Sequence, residues 1–394
     1  MKNVQDWIDL HLGKEIFSPG LERIRDHVRP LFLQLKSKGT RFVTIAGTNG
    51  KGQTAHTLAH LLKDNKISYT LWTSPHIVSI TERMSSEKGD VGEDWLLQHC
   101  LKHQELTKSL SYFEFLFYLF MEFSQQLSPQ IIILEVGLGG RLDAVNALDS
   151  DVMAITSISR DHEEILGNSY AAILKEKWGI SRAHKPIFTA FTLNYLRDMT
   201  KKWSDHEQVL WKDLVELGVM KDHDHFFTRN QLMALTLFHH LLGIKTDVRE
   251  DLQKRRFPPM PHRGDEVNFR GGKLQFLGSH NIDGMRKLVH YFSSRKEVCF
   301  DDVLLSFSKR PLKDIECMMK SLQEEPKIFP NILVTKFQHP KAWNGDLKTV
   351  SFSSLQEVKW EDYLMKEKLE GKNILVTGSY YFVGEVKKFL LLQF

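Results

Sequence analysis

The alternation of apolar and polar positions divides the chain into short buried strands separated by amphipathic helices. The clearest strand is 131–136, a continuous apolar run of the kind that lies in a parallel sheet covered on both faces. This alternation predicts an α/β fold with a doubly wound, mostly parallel sheet and right-handed crossovers. In the first two thirds of the chain, strands are predicted at 41–46, 68–72, 131–136, 151–156 and 186–191, and helices at 53–64 and 171–177.

A proline-rich segment at 257–262 interrupts the pattern. Pro258, Pro259 and Pro261 are too close together to lie inside regular elements, which indicates a linker. We therefore predict two domains, residues 1–260 and a smaller, Rossmann-like α/β domain of residues 261–394. In the second domain, strands are predicted near 274–277, 303–307, 332–335 and 374–377, and a last helix at 382–391.

Composition and cysteine usage indicate the class of protein. Hydrophobic residues make up 42% and charged residues 26% of the 394 positions, as in an ordinary globular protein. The most apolar stretch, 113–123, contains two glutamates and is shorter than the ~20 residues of a membrane span, and no signal peptide is seen. We expect a cytoplasmic protein with no membrane partner, and a reducing compartment fits its sparse cysteines, Cys100, Cys299 and Cys317.

Charge adds little to this picture. The formal net charge is +4, with 18 histidines, which suits small anionic substrates among many other partners. No block of Lys and Arg is interleaved with aromatic residues, so we expect no nucleic-acid partner.

A glycine-rich loop between a predicted strand and a predicted helix is the first candidate site. Its glycines allow successive N–H groups to face phosphate oxygens, and the helix N-terminus adds partial positive charge. Lys51 would neutralise charge on the β- and γ-phosphates. The spacing differs from the common G-x-x-x-x-G-K-[ST] pattern, and a turn without a ligand is the alternative. We predict that nucleotide phosphates bind at Thr48, Asn49, Gly50, Lys51, Gly52 and Gln53.

Glu135 is the second candidate, because it ends a predicted buried strand. An unpaired carboxylate there would cost several kcal/mol, and a metal ion explains its presence better than packing does. Phosphate transfer commonly uses Mg²⁺ with hard oxygen ligands. Ser74 and His162 are further candidates, although a serine before proline is often a turn residue and a histidine after aspartate often has a structural role.

The loop and the strings that follow it resemble the folylpolyglutamate synthase/dihydrofolate synthase family, a branch of the Mur-type peptide ligases. The string 134–146, Leu-Glu-Val-Gly-Leu-Gly-Gly-Arg-Leu-Asp-Ala-Val-Asn, is close to diagnostic by itself. The resemblance covers nearly the whole chain, in order. The other strings that carry it lie at 47–52, 73–76, 81–83, 156–158, 161–162, 176–180, 279–281, 376–379 and 383–386.

The resemblance implies a fold, a reaction and cofactors. The first domain would be P-loop-type and similar to the Mur ligase central domain. The reaction would be the ATP-dependent addition of L-glutamate to dihydropteroate, or to the γ-carboxyl of a folate, through an acyl phosphate. ATP and Mg²⁺, with two ions, are the implied cofactors, and the implied partners are small-molecule substrates of a monomer.

The resemblance also implies roles for single residues. Lys177, which otherwise reads as a helix-surface lysine, would be carbamylated and hold a second metal ion. Ser111 also fits a capping box with Glu114, which does not exclude a substrate contact. The implied metal ligands are Ser74, Glu135, His162 and Lys177; the acceptor contacts are Ser111, Phe113, Asp143 and Ala144; Asn230 and Arg263 contact ATP; and Ser379 lies at the glutamate end. The residues predicted to be catalytic are Lys51, Lys177, His162 and His280.

Two positions depart from the family pattern. Gln53 stands where the family has Ser or Thr, although Thr54 could supply the hydroxyl instead, and Leu277 stands where the family has an aspartate in the nucleotide site. Two alternatives therefore stay open. One is a Mur-type ligase that acts on another acid, against which Phe113 and the loop at Asp143 argue. The other is a degenerate ATP-binding protein without ligase activity.

Overall fold

The computed structural model describes residues 3–16, 18–260, 264–295, 298–345 and 356–393. The chain forms two compact units, Met1–Phe257 and Pro258–Phe394. The break between them falls in the proline-rich segment. The helices of the first unit are α1 Val4–Leu12, α2 Glu22–Ser37, α3 Lys51–Asp64, α4 Glu93–Lys102, α5 Tyr112–Leu127, α6 Glu163–Leu166, α7 Tyr170–Trp178, α8 Asn194–Glu207, α9 Phe226–Leu242 and α10 Val248–Lys254.

An eight-stranded sheet organises the first unit, in the order β4-β3-β2-β5-β1-β6-β7-β8. Strands β2, β5, β1, β6, β7 and β8 run parallel, whereas β3 and β4 are antiparallel additions at one edge. The predicted α/β class is confirmed. The strands are β1 Arg41–Ala46, β2 Tyr69–Trp72, β3 Met84–Ser86, β4 Gly89–Asp90, β5 Ile131–Glu135, β6 Val152–Ile155, β7 Pro186–Thr189 and β8 Leu210–Asp213.

Both faces of this sheet are covered, because alternate side chains of each strand enter different cores. On β1, Phe42 packs in one hydrophobic core, whereas Val43 and Ile45 pack in the other. The same alternation separates Ile132 from Ile133 on β5. This period of two explains why the parallel strands read as continuous apolar runs.

The second unit contains a six-stranded sheet in the order β13-β12-β11-β14-β10-β9. Its strands are parallel except β9, which pairs antiparallel with β10. The strands are β9 Glu266–Phe269, β10 Gly272–Gly278, β11 Asp302–Ser306, β12 Ile332–Val334, β13 Gln356–Glu357 and β14 Asn373–Gly378, and the helices are α11 Ile282–Ser293, α12 Leu312–Gln323, α13 Trp360–Lys366 and α14 Tyr380–Leu391.

Two further observations concern the class of protein. Within the described ranges, no helix has both the length and the apolar character needed to traverse a bilayer. All three cysteines are free thiols.

Candidate functional site

The carboxyl ends of three neighbouring strands of the first unit carry the predicted site. Gly47 follows β1, Glu135 ends β5, and Thr156 follows β6, and these strands are adjacent in the order β5-β1-β6. In parallel α/β sheets this edge is where ligands bind. The topology therefore brings together residues that are distant in the sequence.

The loop after β1 has a backbone shape that requires glycine at two positions. Gly47 has φ +145° and Gly50 has φ +92°. A methyl group on Gly47 would lie 2.0 Å from Thr156 Oγ1, so the loop and the segment after β6 approach too closely for any side chain. The loop ends where α3 begins at Lys51, which places a helix N-terminus at the site.

Hydroxyl and backbone groups after β6 fix the shape of the loop. The Thr48 N–H donates to Ser157 O at 2.8 Å, and the Thr48 hydroxyl donates to Ser159 O at 3.1 Å. The Thr156 and Ser157 hydroxyls both donate to Asn49 O, at 2.7 and 2.9 Å. The loop is thus preorganised by bonds to protein groups, which lowers the cost of ordering it around a ligand.

Two lysines meet at one carbonyl of this loop. Lys51 Nζ donates to Gly47 O at 3.0 Å and to Thr48 O at 3.2 Å, and Lys177 Nζ donates to the same Gly47 O at 3.0 Å. Lys177 is 3% exposed. Burial, reinforced by the Lys51 cation, lowers the pKa of Lys177 to about 7. A large fraction of Lys177 is therefore a neutral amine near neutral pH, the form that a carbamylation would need.

Ser74 and Glu135 lie together at the end of β5. The Ser74 N–H donates to Glu135 Oε2 at 3.1 Å, and both residues are buried. A buried carboxylate beside a hydroxyl is a hard-oxygen donor set, which fits Mg²⁺. Such an ion commonly takes one or two protein ligands and completes its shell with substrate phosphates and water. Among the residues described, no three His, Cys, Asp or Glu side chains are grouped so as to hold a metal ion.

His162 is placed differently from these two residues. It has a left-handed backbone, φ +51°, and its side chain is 48% exposed. Its Nδ1 lies 3.7 Å from Glu164 Oε1. A role for His162 as a metal ligand stays a prediction.

The predicted acceptor contacts follow β5 and begin α5. Phe113 is half-buried and lies edge-on to Trp72, with ring centroids 5.3 Å apart. A methyl group on Gly137 would lie 2.9 Å from the Phe113 ring and 3.3 Å from Asp143 Oδ2, so this glycine allows both side chains to approach the same backbone. Ala144, which follows, is buried and begins the 3₁₀ helix Ala144–Ala147.

Asp143 is buried, and burial raises its pKa to about 6 although the backbone N–H groups of Gly137, Leu138 and Val145 oppose the rise. The bonds from Leu138 N and Val145 N measure 2.9 and 3.1 Å. Burial thus brings the protonation of this carboxyl close to neutral pH.

Ser111 is the N-cap of α5 and forms the predicted capping box. Its hydroxyl accepts the Glu114 N–H at 3.4 Å, and its own N–H donates to Glu114 Oε2 at 2.8 Å. The structural reading of Ser111 therefore holds, and a contact between its side chain and a substrate stays a prediction.

Asn230, on α9, lies against the glycine-rich loop that follows β1. Its Nδ2 donates to Gln53 Oε1 at 2.6 Å, and its carbonyl accepts the Thr54 hydroxyl at 3.5 Å. Thr54 is fully buried, so its hydroxyl faces α9 and does not take the place of a hydroxyl at 53. Arg263 lies outside the described residues.

One buried cation near the site has no role assigned by the sequence reasoning. Arg83 is 1% exposed and forms a bidentate pair with Glu15, at 3.0 and 2.7 Å. Its Nε donates to His76 Nδ1 at 3.0 Å, and its carbonyl accepts the Thr73 N–H at 3.1 Å. Arg83 stands within one of the strings that carry the resemblance. Its partner Glu15 is 68 positions away, and no local pattern predicts the pair.

In the second unit, the predicted glutamate-side residues lie at the carboxyl ends of β10 and β14. The His280 ring packs 4.8 Å from the Tyr380 ring, between centroids. Ser379 caps α14, and its hydroxyl lies 2.7 Å from that of Ser308. Leu277 is buried on β10, as an apolar residue in a parallel strand is expected to be.

Comparison with known proteins agrees with this geometry. The Mur ligase middle domain model matches residues 45–248. A dihydrofolate synthase/folylpolyglutamate synthase of Haemophilus influenzae is 36% identical over 46% of this chain, a match that covers 42% of that relative. The enzyme of the same name from Bacillus subtilis is 25% identical over 98% of both chains.

Solved structures show the same fold. The structure described as E. coli FolC in complex with DHPP and ADP has a TM-score of 0.78 and 23% sequence identity, with 100% of this chain and 98% of that chain covered. At this identity the likeness concerns the fold alone.

Proposed function

This chain belongs to the Mur ligase family, in the branch that contains the folylpolyglutamate and dihydrofolate synthases, and on that premise we propose that it is an ATP-dependent ligase that adds L-glutamate to dihydropteroate, to the γ-carboxyl of a folate, or to both. The observation that carries this proposal is the meeting of the phosphate loop, the Ser74–Glu135 pair and buried Lys177 at one sheet edge. These are the parts that phosphoryl transfer to a carboxylate needs.

In the proposed reaction, the acceptor carboxylate attacks the γ-phosphorus of ATP, and the bond to the β-phosphate oxygen breaks. The products are an acyl phosphate and ADP. The amine of L-glutamate then attacks the acyl carbon and displaces phosphate, and a proton leaves the new amide nitrogen. Bound Mg²⁺ would neutralise phosphate charge. The chain's own contribution is positioning and charge complementarity.

Each residue has a proposed part in that positioning. The backbone of residues 47–52 and Lys51 would hold the β- and γ-phosphates, and Asn230 and Arg263 would contact the rest of ATP. Ser74, Glu135 and His162 would bind Mg²⁺. Phe113 would stack on the pteridine, and Asp143 would bond its polar edge, with Ser111 and Ala144 beside them. His280 and Ser379 would bind L-glutamate.

Carbamylation of Lys177 is the finer part of the proposal about cofactors. Its low pKa makes the neutral amine available for addition to CO₂, and the resulting anion would hold a second divalent ion. We further propose that the enzyme acts in the cytoplasm as a monomer. The free cysteines support the cytoplasm, and the resemblance to the family supports a monomer.

One assay separates this proposal from its rivals. ADP release is measured with ATP, Mg²⁺ and L-glutamate, together with dihydropteroate, tetrahydrofolate or no acceptor. We expect release that depends on at least one pteridine. If neither pteridine stimulates release, the chain is a ligase for another acid or a binding protein that no longer ligates, an outcome for which the departures at Gln53 and Leu277 provide a reason.

The phosphate role of Lys51 is tested in the same assay. Lys51→Ala should lower kcat/KM by about 100-fold or more, because a cation that faces transferring phosphate is removed. Lys63→Ala, at the other end of α3, is the matched control and should keep the wild-type rate. A Lys51→Ala enzyme with a near-normal rate would refute the assignment.

A further inference from the structure

The first turn of α3 differs from that of an ordinary phosphate-binding helix in the side chains that it offers. In such loops a hydroxyl near the start of the helix commonly supplies an oxygen ligand to Mg²⁺. Here the residues that could supply a side-chain oxygen are Gln53 and Thr54. Both are bonded to one residue of another helix, Asn230 on α9.

Asn230 contacts the loop at three points. Its Nδ2 donates to Gln53 Oε1 at 2.6 Å, and its carbonyl accepts the Thr54 hydroxyl. Its side-chain Oδ1 would lie 2.3 Å from a methyl group on Gly50, so the amide of Asn230 occupies the space that a side chain at Gly50 would fill. Asn230 is 6% exposed, so the contact is shielded from water.

The other hydroxyls of this region also donate to backbone carbonyls. The Thr48 hydroxyl is bonded to Ser159, and those of Thr156 and Ser157 are bonded to Asn49 O. These side-chain oxygens therefore hold the shape of the loop. The proposed hard-oxygen ligands lie elsewhere, because Glu135 ends β5 and Ser74 follows β2.

We propose that Gln53 and Asn230 form a positioning pair that adapts this loop to hold nucleotide phosphates without giving the metal ion a ligand, so that the ion depends on Ser74 and Glu135 for its protein oxygens. Gln53 is then a determinant of how strongly nucleotide affinity depends on Mg²⁺. The proposal rests on the proposed use of ATP, and it concerns the side chain by which this chain departs from the usual hydroxyl.

The test measures the dissociation constant of ADP by titration calorimetry, in EDTA and in excess Mg²⁺, on the full chain. The quantity compared is the ratio of the two constants, which reports how far the metal strengthens binding. Gln53→Thr places a hydroxyl in the first turn and should raise this ratio about tenfold, or 1.4 kcal/mol, over wild type. Gln53→Ala should leave the ratio within about threefold of wild type, because the oxygen that it removes faces Asn230.

Gln125→Thr is the matched control. Gln125 is also half-buried, and its Nε2 donates to Gln34 Oε1 on a second helix at 3.3 Å, away from the loop. This variant should leave both constants unchanged. Thermal melting of each variant confirms folding, and Gln53→Ser provides a second hydroxyl variant if Gln53→Thr is unstable.

Two results would overturn the inference alone. If Gln53→Ala lowers the ratio about tenfold, Gln53 is itself a metal ligand. If ADP binds but neither hydroxyl variant raises the ratio, position 53 does not control the metal dependence. A wild-type protein that binds no ADP in either condition would overturn the proposed use of ATP together with this inference.

Discussion

At the scale of single residues, Lys177 shows how position controls chemistry. Its sequence context is that of an ordinary helix, and its neighbour Lys175 on the same helix is exposed. Only the fold turns Lys177 inward, to the carbonyl of Gly47 and towards Lys51. The amine that results is unlike a surface lysine, because both burial and a nearby cation disfavour its charged form.

The low pKa of Lys177 makes the stability of the protein depend on pH. The folded pKa is about 7 and the ordinary value is 10.5, so the unfolded chain binds more protons between these values. The destabilising effect is complete below pH 7 and is relieved as pH rises towards 10.5. Relative to Lys177→Met, the wild-type free energy of unfolding should rise by roughly 2 kcal/mol between pH 7 and 9.

Urea unfolding in CO₂-depleted buffers measures this difference, and depletion of CO₂ keeps the amine unmodified. Lys175→Met, from the same helix, should run parallel to wild type over the whole range. Parallel curves for wild type and Lys177→Met would contradict the assigned pKa.

Gly50 provides a second prediction at this scale. Gly50→Ala places a methyl group at φ +92° and 2.3 Å from Asn230 Oδ1. We expect a loss of about 2 kcal/mol of stability and an ADP affinity at least about tenfold weaker. Gly39→Ala is the control, because Gly39 has φ +83° but no neighbour within 4 Å. If the two variants behave alike, backbone strain alone accounts for the loss.

At the scale of elements, the segment from Thr73 to Arg83 is held by the two charged residues at its C-terminal end. The Glu82 carboxylate accepts the N–H groups of Ile77, Val78 and Ser79, at 2.7, 2.7 and 2.6 Å. Arg83 binds Glu15 and His76. The loop therefore has few free backbone groups, and it carries Ser74 at its start.

Removal of the Arg83 guanidinium should destabilise the fold and displace this loop. Arg83→Met leaves Glu15 without its buried partner, and we expect a loss of about 3 kcal/mol, at the lower end for buried pairs because Glu15 is 27% exposed. Lys254→Met removes an exposed i,i+4 pair with Glu250 and should cost much less. Chemical denaturation compares the two, and equal losses would show that Arg83 is no more than a surface cation.

Elements in the interior could be predicted from the sequence, whereas those at the edges could not. The bounds of β1 agree with the predicted 41–46, because every residue after Arg41 is buried and the run is apolar. β8 and β9 were missed, since each is a short edge strand with mostly exposed or half-buried residues. A continuous apolar run marks a strand whose residues are buried, and most residues of these edge strands are not buried.

The candidate site also has a part that could be predicted from the sequence and a part that could not. The glycine-rich loop is local in sequence, so Gly47 to Gly52 could be identified from their spacing. The Arg83–Glu15 pair joins segments 68 positions apart, and the Asn230–Gln53 bond spans 177 positions. Neither has a local pattern, because each depends on how helices and loops pack in three dimensions.

At the scale of the whole molecule, the two compact units carry different predicted tasks. The first holds the glycine-rich loop after β1, the Ser74–Glu135 pair and the predicted acceptor contacts. The second holds His280 and Ser379 on its own parallel sheet. This division predicts that substitutions of His280 and Ser379 change the use of glutamate more than the binding of nucleotide.

His280→Ala tests that division. We expect the KM for L-glutamate to rise about tenfold or more, while the dissociation constant of ADP stays within about twofold of wild type. His290→Ala, an exposed position on the next helix, α11, is the control and should change neither quantity. An unchanged glutamate KM in His280→Ala would remove His280 from the glutamate site.

The carbonyl of Gly47 that the two lysines share has a consequence for the exchange of protons between Lys177 and the solvent. In the unmodified protein, Lys51 and Lys177 donate to one acceptor, and burial, reinforced by the Lys51 cation, lowers the pKa of Lys177 to about 7. A polyanion bound beside them favours the charged amine and raises that pKa. A polyanion that occupied the loop would therefore draw a proton from solvent near neutral pH, and its affinity would weaken as the medium becomes more alkaline.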